Sequence, residues 1–249
     1  MVRGCRPWAT VAVLALLAAC GGPRYAPGPG PTPPVQPTRP TSPGGQGSGL
    51  INQRVDDRTM DRITAAVGNY RQCFSELAAA RVDFSPMPDR DDGTGCAYVD
   101  AGLVTVDWGT VARLSPAQPL LSCPAALAMS IWRRQVVEPA ARDIFGSDVV
   151  QIDLMGAYSC RNVNGAATGR RSAHARANAL DFGGVRLRNG RRITVQAGWS
   201  GAEDEARFLR RVRDESCRIY GTVLSPDYNA AHRDHLHLEI REATWTMCR

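Results

Sequence analysis

The segments Ser172-Ala173-His174-Ala175-Arg176-Ala177-Asn178-Ala179-Leu180-Asp181 and His232-Arg233-Asp234-His235-Leu236-His237-Leu238-Glu239 hold all four histidines of this 249-residue chain. Read as a strand, the second segment alternates: Leu236, Leu238 and Ile240 share one face, and His235, His237 and Glu239 the other. The leucine face belongs to a core. The opposite face presents two imidazoles about 7 Å apart at Cα, two steps of ~3.3–3.4 Å. In the first segment Asn178, Leu180 and Phe182 alternate with Ala177, Ala179 and Asp181. Asp181 therefore lies on a face of small alanines with room for a ligand or metal, and His174 stands at the strand's entrance. Two imidazoles and a carboxylate are a natural ligand set for catalytic zinc, with one position left for water. Zinc brings the pKa of such a water to about 7. A further carboxylate nearby is useful to take the proton and pass it to a leaving amine.

Outward from these segments the hydrophobic spacing predicts helices over Asp57–Ala80, Pro124–Phe145 and Glu203–Ile219. Pro124 suits a first helical turn, and Pro139 is expected to kink or divide its helix. Strand patterns cover Ala97–Val106, Val149–Tyr158 and His235–Ile240. A hairpin over Ala177–Val185 and Ile193–Ala197 turns at Arg188-Asn189-Gly190. Residues 160–173 form a polar, glycine-containing loop. Strands and helices do not alternate strictly, which predicts an α+β fold: a small antiparallel sheet carrying the metal site, flanked by helices. The rings of Trp132, Trp199 and Trp245 read as core or rim.

Cys5 lies in a leader segment and Cys20 at its end. Cys73, Cys96, Cys123, Cys160, Cys217 and Cys248 remain, an even number that reads as disulfides made in an oxidising compartment. A thiolate zinc site would need close pairs such as C-x-x-C, and the sequence has none. Pairing of sequence neighbours is expected: Cys73–Cys96, Cys123–Cys160 and Cys217–Cys248.

Residues 1–20 combine Arg3 and Arg6 with the apolar run Val11–Ala19, which is too short to span a bilayer permanently. This is the layout of a secretory signal peptide. Its end, Leu17-Ala18-Ala19-Cys20, resembles the lipobox of bacterial lipoproteins, which implies a lipid on Cys20; an ordinary cleavage site is the alternative. Residues 21–50, rich in Pro, Gly, Ser and Thr, read as a linker with no core. Fully stretched, they would reach on the order of 90 Å at about 3.1 Å per residue. Residues 51–249 form the folded domain. The formal net charge of +6 comes entirely from arginine, since the chain has no lysine. That bias suits a GC-rich genome, and a basic surface would also gather the domain near anionic wall polymers. The run Arg207–Arg213 is broken by Phe208, Leu209 and Val212 and reads as a solvated helix face. No groove-reading motif is present, so no nucleic-acid partner is expected.

S-x-H-x-x-x-x-A-x-D followed by D-H-x-H resembles the zinc peptidases of the D-alanyl-D-alanine carboxypeptidase, VanX-type dipeptidase and murein endopeptidase group. The wider context is Cys123-Pro124-Ala125, Tyr158-Ser159-Cys160-Arg161, Val223-Leu224 and Cys248-Arg249. It resembles the bacterial extensin-like C-terminal family over nearly all of residues 70–249. The resemblance implies Zn2+ on His174, Asp181 and His237, with Asp234 as the catalytic acid or base. It implies His235 at the substrate or the oxyanion, Arg161 holding a substrate carbonyl or carboxylate, and Ser172 touching the peptide. His232 is placed with the substrate-binding residues. The chain departs from the peptidase pattern at Ala177, where glycine is usual. Alternation also puts Asp234 on the leucine side unless the strand begins at His235, which leaves Glu239 as another base or as a group orienting a ligand.

The expected activity is therefore hydrolysis of peptide bonds in peptidoglycan by a periplasmic, lipid-anchored monomer. A zinc-containing module that binds wall peptides or an envelope protein without turnover is the competing reading. Two histidines and a carboxylate also suit iron(II), but no cosubstrate site is evident. A carbonic-anhydrase-like site would want a third histidine in place of Asp181.

Overall fold

The computed structural model describes residues 49–242 and 245–249. The expected signal peptide, Cys5, the expected lipidation position Cys20 and residues 21–48 of the expected linker lie outside the described residues. Leu50 and Ile51 are already buried, and the Leu50 N–H donates to Glu76 Oε2 at 2.7 Å.

The predicted helix over Asp57–Ala80 is two helices, α1 (Thr59–Ala65) and α2 (Tyr70–Ala79). Gly68 breaks it with φ 77°, a conformation glycine adopts without penalty, and the Asn69 side chain then caps α2 by accepting from Gln72 N. The chain continues through β1 (Val82–Pro86), β2 (Arg90–Asp91), β3 (Ala97–Tyr98), β4 (Ala101–Asp107), β5 (Arg113–Ser115) and β6 (Leu120–Ser122). The strand predicted over Ala97–Val106 is divided at Asp100, whose φ is 52°. Strands β1, β4 and β6 make a three-stranded antiparallel sheet.

Helix α3 (Cys123–Trp132) begins with Ser122 as N-cap and Pro124 in its first turn, and all ten of its residues are buried. It is a central helix, apolar all round except for the buried Ser130, as suits an element surrounded by others. A π-helical turn (Arg133–Val137) joins it to α4 (Glu138–Phe145). This wider turn is how the helix accommodates Pro139, which cannot donate the usual bond and would crowd the preceding turn. The division expected at Pro139 is thus real.

The second half supplies β7 (Val149–Gly156), β8 (Ala179–Leu187), β9 (Arg192–Thr194), α5 (Val195–Gly198), α6 (Glu203–Ser216), β10 (Thr222–Leu224), β11 (Leu236–Glu239) and β12 (Met247–Cys248). Its seven-stranded sheet runs β12-β10-β11-β8-β7-β5, with β9 also on β8. The centre, β7-β8-β11-β10, is antiparallel as expected; the edge strands β5 and β12 add in parallel. The hairpin arm predicted to Ala197 is shorter, because Thr194 caps α5 and turns the chain. Trp132 ties the halves together: its ring meets Phe182 of β8 edge-to-face at 5.2 Å, and its Nε1–H donates to Ser216 Oγ of α6 at 2.8 Å. Trp199 is buried too, whereas Trp245 is exposed at a rim.

The disulfides are Cys73–Cys123, Cys96–Cys160 and Cys217–Cys248. Only the last matches the neighbour pairing; Cys73–Cys96 and Cys123–Cys160 are corrected. Packing decides the exchange, because α2 lies on α3 and β3 lies beside the loop that follows β7.

Candidate metal centre

Strand register assembles the site. His237 of β11 lies directly opposite Asp181 of β8, while Leu236 faces Phe182 and Leu238 faces Leu180 on the core side. Leu236, Leu238 and Ile240 are buried, as the alternation predicts. On its other edge Asp181 pairs with Gly156 of β7. A Cβ at position 156 would stand 2.9 Å from Asp181 Oδ2, so a hydrogen atom there makes room for the carboxylate. His174 comes from a 3-10 turn (Ala173–Arg176) whose N-cap is Ser172, its Oγ accepting from His174 N at 3.4 Å. The turn ends at Ala177 with φ 57°, ψ 23°, a left-handed geometry natural to glycine. The departure at Ala177 thus falls where the backbone favours glycine, and alanine carries a cost of roughly 1–2 kcal/mol there.

His174 Nε2, Asp181 Oδ1 and His237 Nδ1 lie 3.1 Å from one another in all three pairs. All three residues are buried, His174 completely. Ligands bonded to tetrahedral zinc at about 2.0–2.1 Å stand on the order of 3.3 Å apart, so the triangle has the size such an ion needs. The tautomers agree. His174 Nδ1–H donates to Ala157 O at 2.5 Å, leaving Nε2 free. His237 Nε2–H donates to Glu239 Oε2 at 3.2 Å, leaving Nδ1 free. Ligating imidazoles are commonly oriented in this way. The group of His174, Asp181 and His237 can hold a metal ion.

Without a metal the triad is a tight charge cluster. Burial works to raise the Asp181 pKa, but hydrogen bonds from His174 and His237 outweigh it and hold the carboxyl well below the usual range. Burial likewise opposes charge on His237, yet its bonds to Asp181 and Glu239 push it up to about 9. His232 moves the other way: burial, then the nearby His235 and His237, lower it to about 4.

The surrounding residues fall into place around the triad. Arg161 Nη2 donates to Asp181 Oδ2 at 3.1 Å. Strand β11 begins at Leu236, so Asp234 is released from the alternation. Its Oδ1 accepts from His235 Nδ1 at 2.8 Å, and His235 Nε2 faces Asp181 Oδ1 at 3.6 Å. His235 therefore stands between Asp234 and the triad. Glu239 orients His237. The buried Ser172 hydroxyl turns inward to its cap, and His232 donates from Nδ1 to Asn229 Oδ1 at 2.7 Å while its ring lies 5.2 Å from that of His235. Sequence reading missed Gly156, the Ala157 carbonyl and Asn229. Gly156 and Ala157 act only because β7 lies beside β8, which no local spacing reveals.

Two clefts adjoin the centre. One, of 320 Å³, is lined by His232, His237, Glu239, Arg170, Tyr228 and Trp245 among others. The other, of 380 Å³, is lined by His174, Asp181, Asp234, Arg233, Met155 and Gly156 among others. Both include Arg161, Ala231 and His235 in their walls.

Fold and site together define a disulfide-stapled α+β domain with a buried His/Asp/His group able to hold a metal. The chain belongs to the family described as Extensin-like protein C-terminus, whose model matches residues 71–249 and so includes every residue of the site. No curated protein and no solved structure matches the chain. The three disulfides suggest a location outside the cytoplasm. Among the described residues no helix is long and apolar enough to cross a membrane.

Proposed function

We propose that the domain is a zinc metallopeptidase that hydrolyses peptide bonds in peptidoglycan stem peptides or crosslinks. The observation that carries this reading is the 3.1 Å triangle of His174 Nε2, Asp181 Oδ1 and His237 Nδ1, each imidazole fixed in the tautomer a metal requires. When bound, zinc supplies Lewis acidity and a water that ionises near neutral pH. The likeness of the S-x-H-x-x-x-x-A-x-D and D-H-x-H motifs to cell-wall zinc peptidases supplies the substrate class.

The chain's own groups divide the remaining work. Asp234 fixes His235 with a proton on Nδ1, so Nε2 is the atom that accepts a proton and returns it to the leaving amine. Asp234 is thus a positioning residue and His235 the base. Arg161, with its side chain 35% exposed and its guanidinium on Asp181 Oδ2, reaches both clefts and can hold a substrate carbonyl. Ser172 sets His174 in place, and His232 lines the substrate cleft. Localisation follows the same reading: a periplasmic monomer, tethered to an envelope membrane by lipid on Cys20, meets this polymer and no nucleic acid. One observation favours a binding module without turnover: Asp234 Oδ1 is committed to His235 and offers no base directly at the triad.

Digestion of purified peptidoglycan by the zinc-loaded protein, read by mass spectrometry, tests the proposal. New peptide fragments are expected from the wild type and none from His174→Ala. Asp234→Asn should lower the rate by about 10²-fold, in line with the weight of general base catalysis, with zinc content unchanged. A wild type that retains zinc and wall binding but releases no fragments would establish the binding module.

A further inference from the structure

We infer that the substrate is an acidic peptide with a carboxylate on each side of the reacting bond, read by Arg170 in one cleft and by Arg233 in the other. This rests on the peptidase reading and names its substrate class. The two clefts meet at Arg161, Ala231 and His235, so an extended chain passing His235 enters both. Their acidic groups are already committed: Asp181 to both histidines and Arg161, Asp234 to His235, Glu239 to His237. Arg170 and Arg233 are exposed and make no ion pair among the described residues. Each cleft therefore carries a guanidinium without a counter-ion, and no free carboxylate opposes it.

The remaining walls say what kind of anion fits. Tyr228 and Trp245, exposed by 43% and 51%, line the Arg170 cleft, and Met155, exposed by 56%, lines the Arg233 cleft. Exposed apolar side chains beside an unpaired arginine suit an anion carried on hydrocarbon, as a carboxylate on an amino-acid side chain is. A polyol phosphate polymer would find the charge but have no use for the apolar walls. Arginine forms two parallel hydrogen bonds to a carboxylate, so recognition is of the group and its position as well as its charge.

The test uses the zinc-loaded full chain, its Arg170→Gln and Arg233→Gln variants, and a crosslinked peptidoglycan peptide with its carboxylates free or amidated. Binding by calorimetry and turnover by mass spectrometry are read separately at physiological salt, where loose charge steering is screened. Amidation is expected to weaken wild-type binding about tenfold for each carboxylate removed, the order of one charge-assisted hydrogen bond. Each variant should lose discrimination at one carboxylate and keep it at the other, the loss falling on KM while zinc content stays constant. Equal affinity for free and amidated peptide in the wild type overturns the inference. So does tighter binding of a glycerol phosphate polymer. Arginine-dependent binding without turnover would overturn the peptidase reading and with it the substrate assignment, leaving two arginines that read an acidic ligand.

Discussion

Gly156 has no side chain, yet the Asp181 carboxylate occupies the space a methyl group would take, 2.9 Å from Oδ2. Gly156→Ala should lower zinc affinity at least tenfold with circular dichroism unchanged, as measured by competitive zinc titration. His237 gives a second test. In metal-free protein its pKa stands above the unfolded value, pushed up to about 9, so its contribution to stability is complete below about pH 6.5 and fades as pH rises through 9. His232, lowered to about 4, is protonated first in the unfolded chain, so acidification from about 6.5 towards 4 also weakens the fold. Chelated protein should lose on the order of 5 °C in melting temperature between pH 6.5 and 9, by calorimetry. Zinc-loaded protein, whose His237 Nδ1 no longer titrates, should hold steady across that range. The grouping of His174, Asp181 and His237, which can hold a metal, was legible in the sequence because metal binding demands particular side chains at particular spacings. Gly156 and Ala157 were not, because one contributes empty space and the other a carbonyl that every residue possesses.

Elements explain what the sequence left open about Asp234 and the cysteines. Alternation placed Asp234 on the leucine side only if the strand reached it; β11 starts at Leu236, and the preceding turn delivers Asp234 to His235. Disulfide partners could not be read because they depend on which elements pack together, and the α2–α3 contact is absent from any local pattern. The Cys96–Cys160 bridge carries a consequence for the site, since Cys160 precedes Arg161 and fastens its loop to β3. Replacing both cysteines by serine should cost about 2–5 kcal/mol, lowering the melting temperature by roughly 10 °C at the usual scaling. It should also raise KM by freeing Arg161. Removing Cys217–Cys248 should lower the melting temperature alone. Thermal denaturation beside steady-state kinetics separates the two.

At the scale of the whole molecule the α+β class and the antiparallel centre of the sheet were readable, since each rests on periodicity within a segment. The parallel edges were not: β5 joins β7 and β12 joins β10 across intervening structure. This topology gives the metal a mechanical meaning. His174 and Asp181 belong to the side of the sheet that continues through β7 to β5, and His237 to the side that continues through β10 to β12. An ion on the triad is a rivet through the seam between them. Hydrogen–deuterium exchange should record it: amides of β10 and β11 should slow on zinc loading, while those of β1, β4 and β6, in the other sheet, keep their pace. The same rivet would make an ion held there a guard against proteolysis, so a domain starved of its metal would be lost to neighbouring proteases.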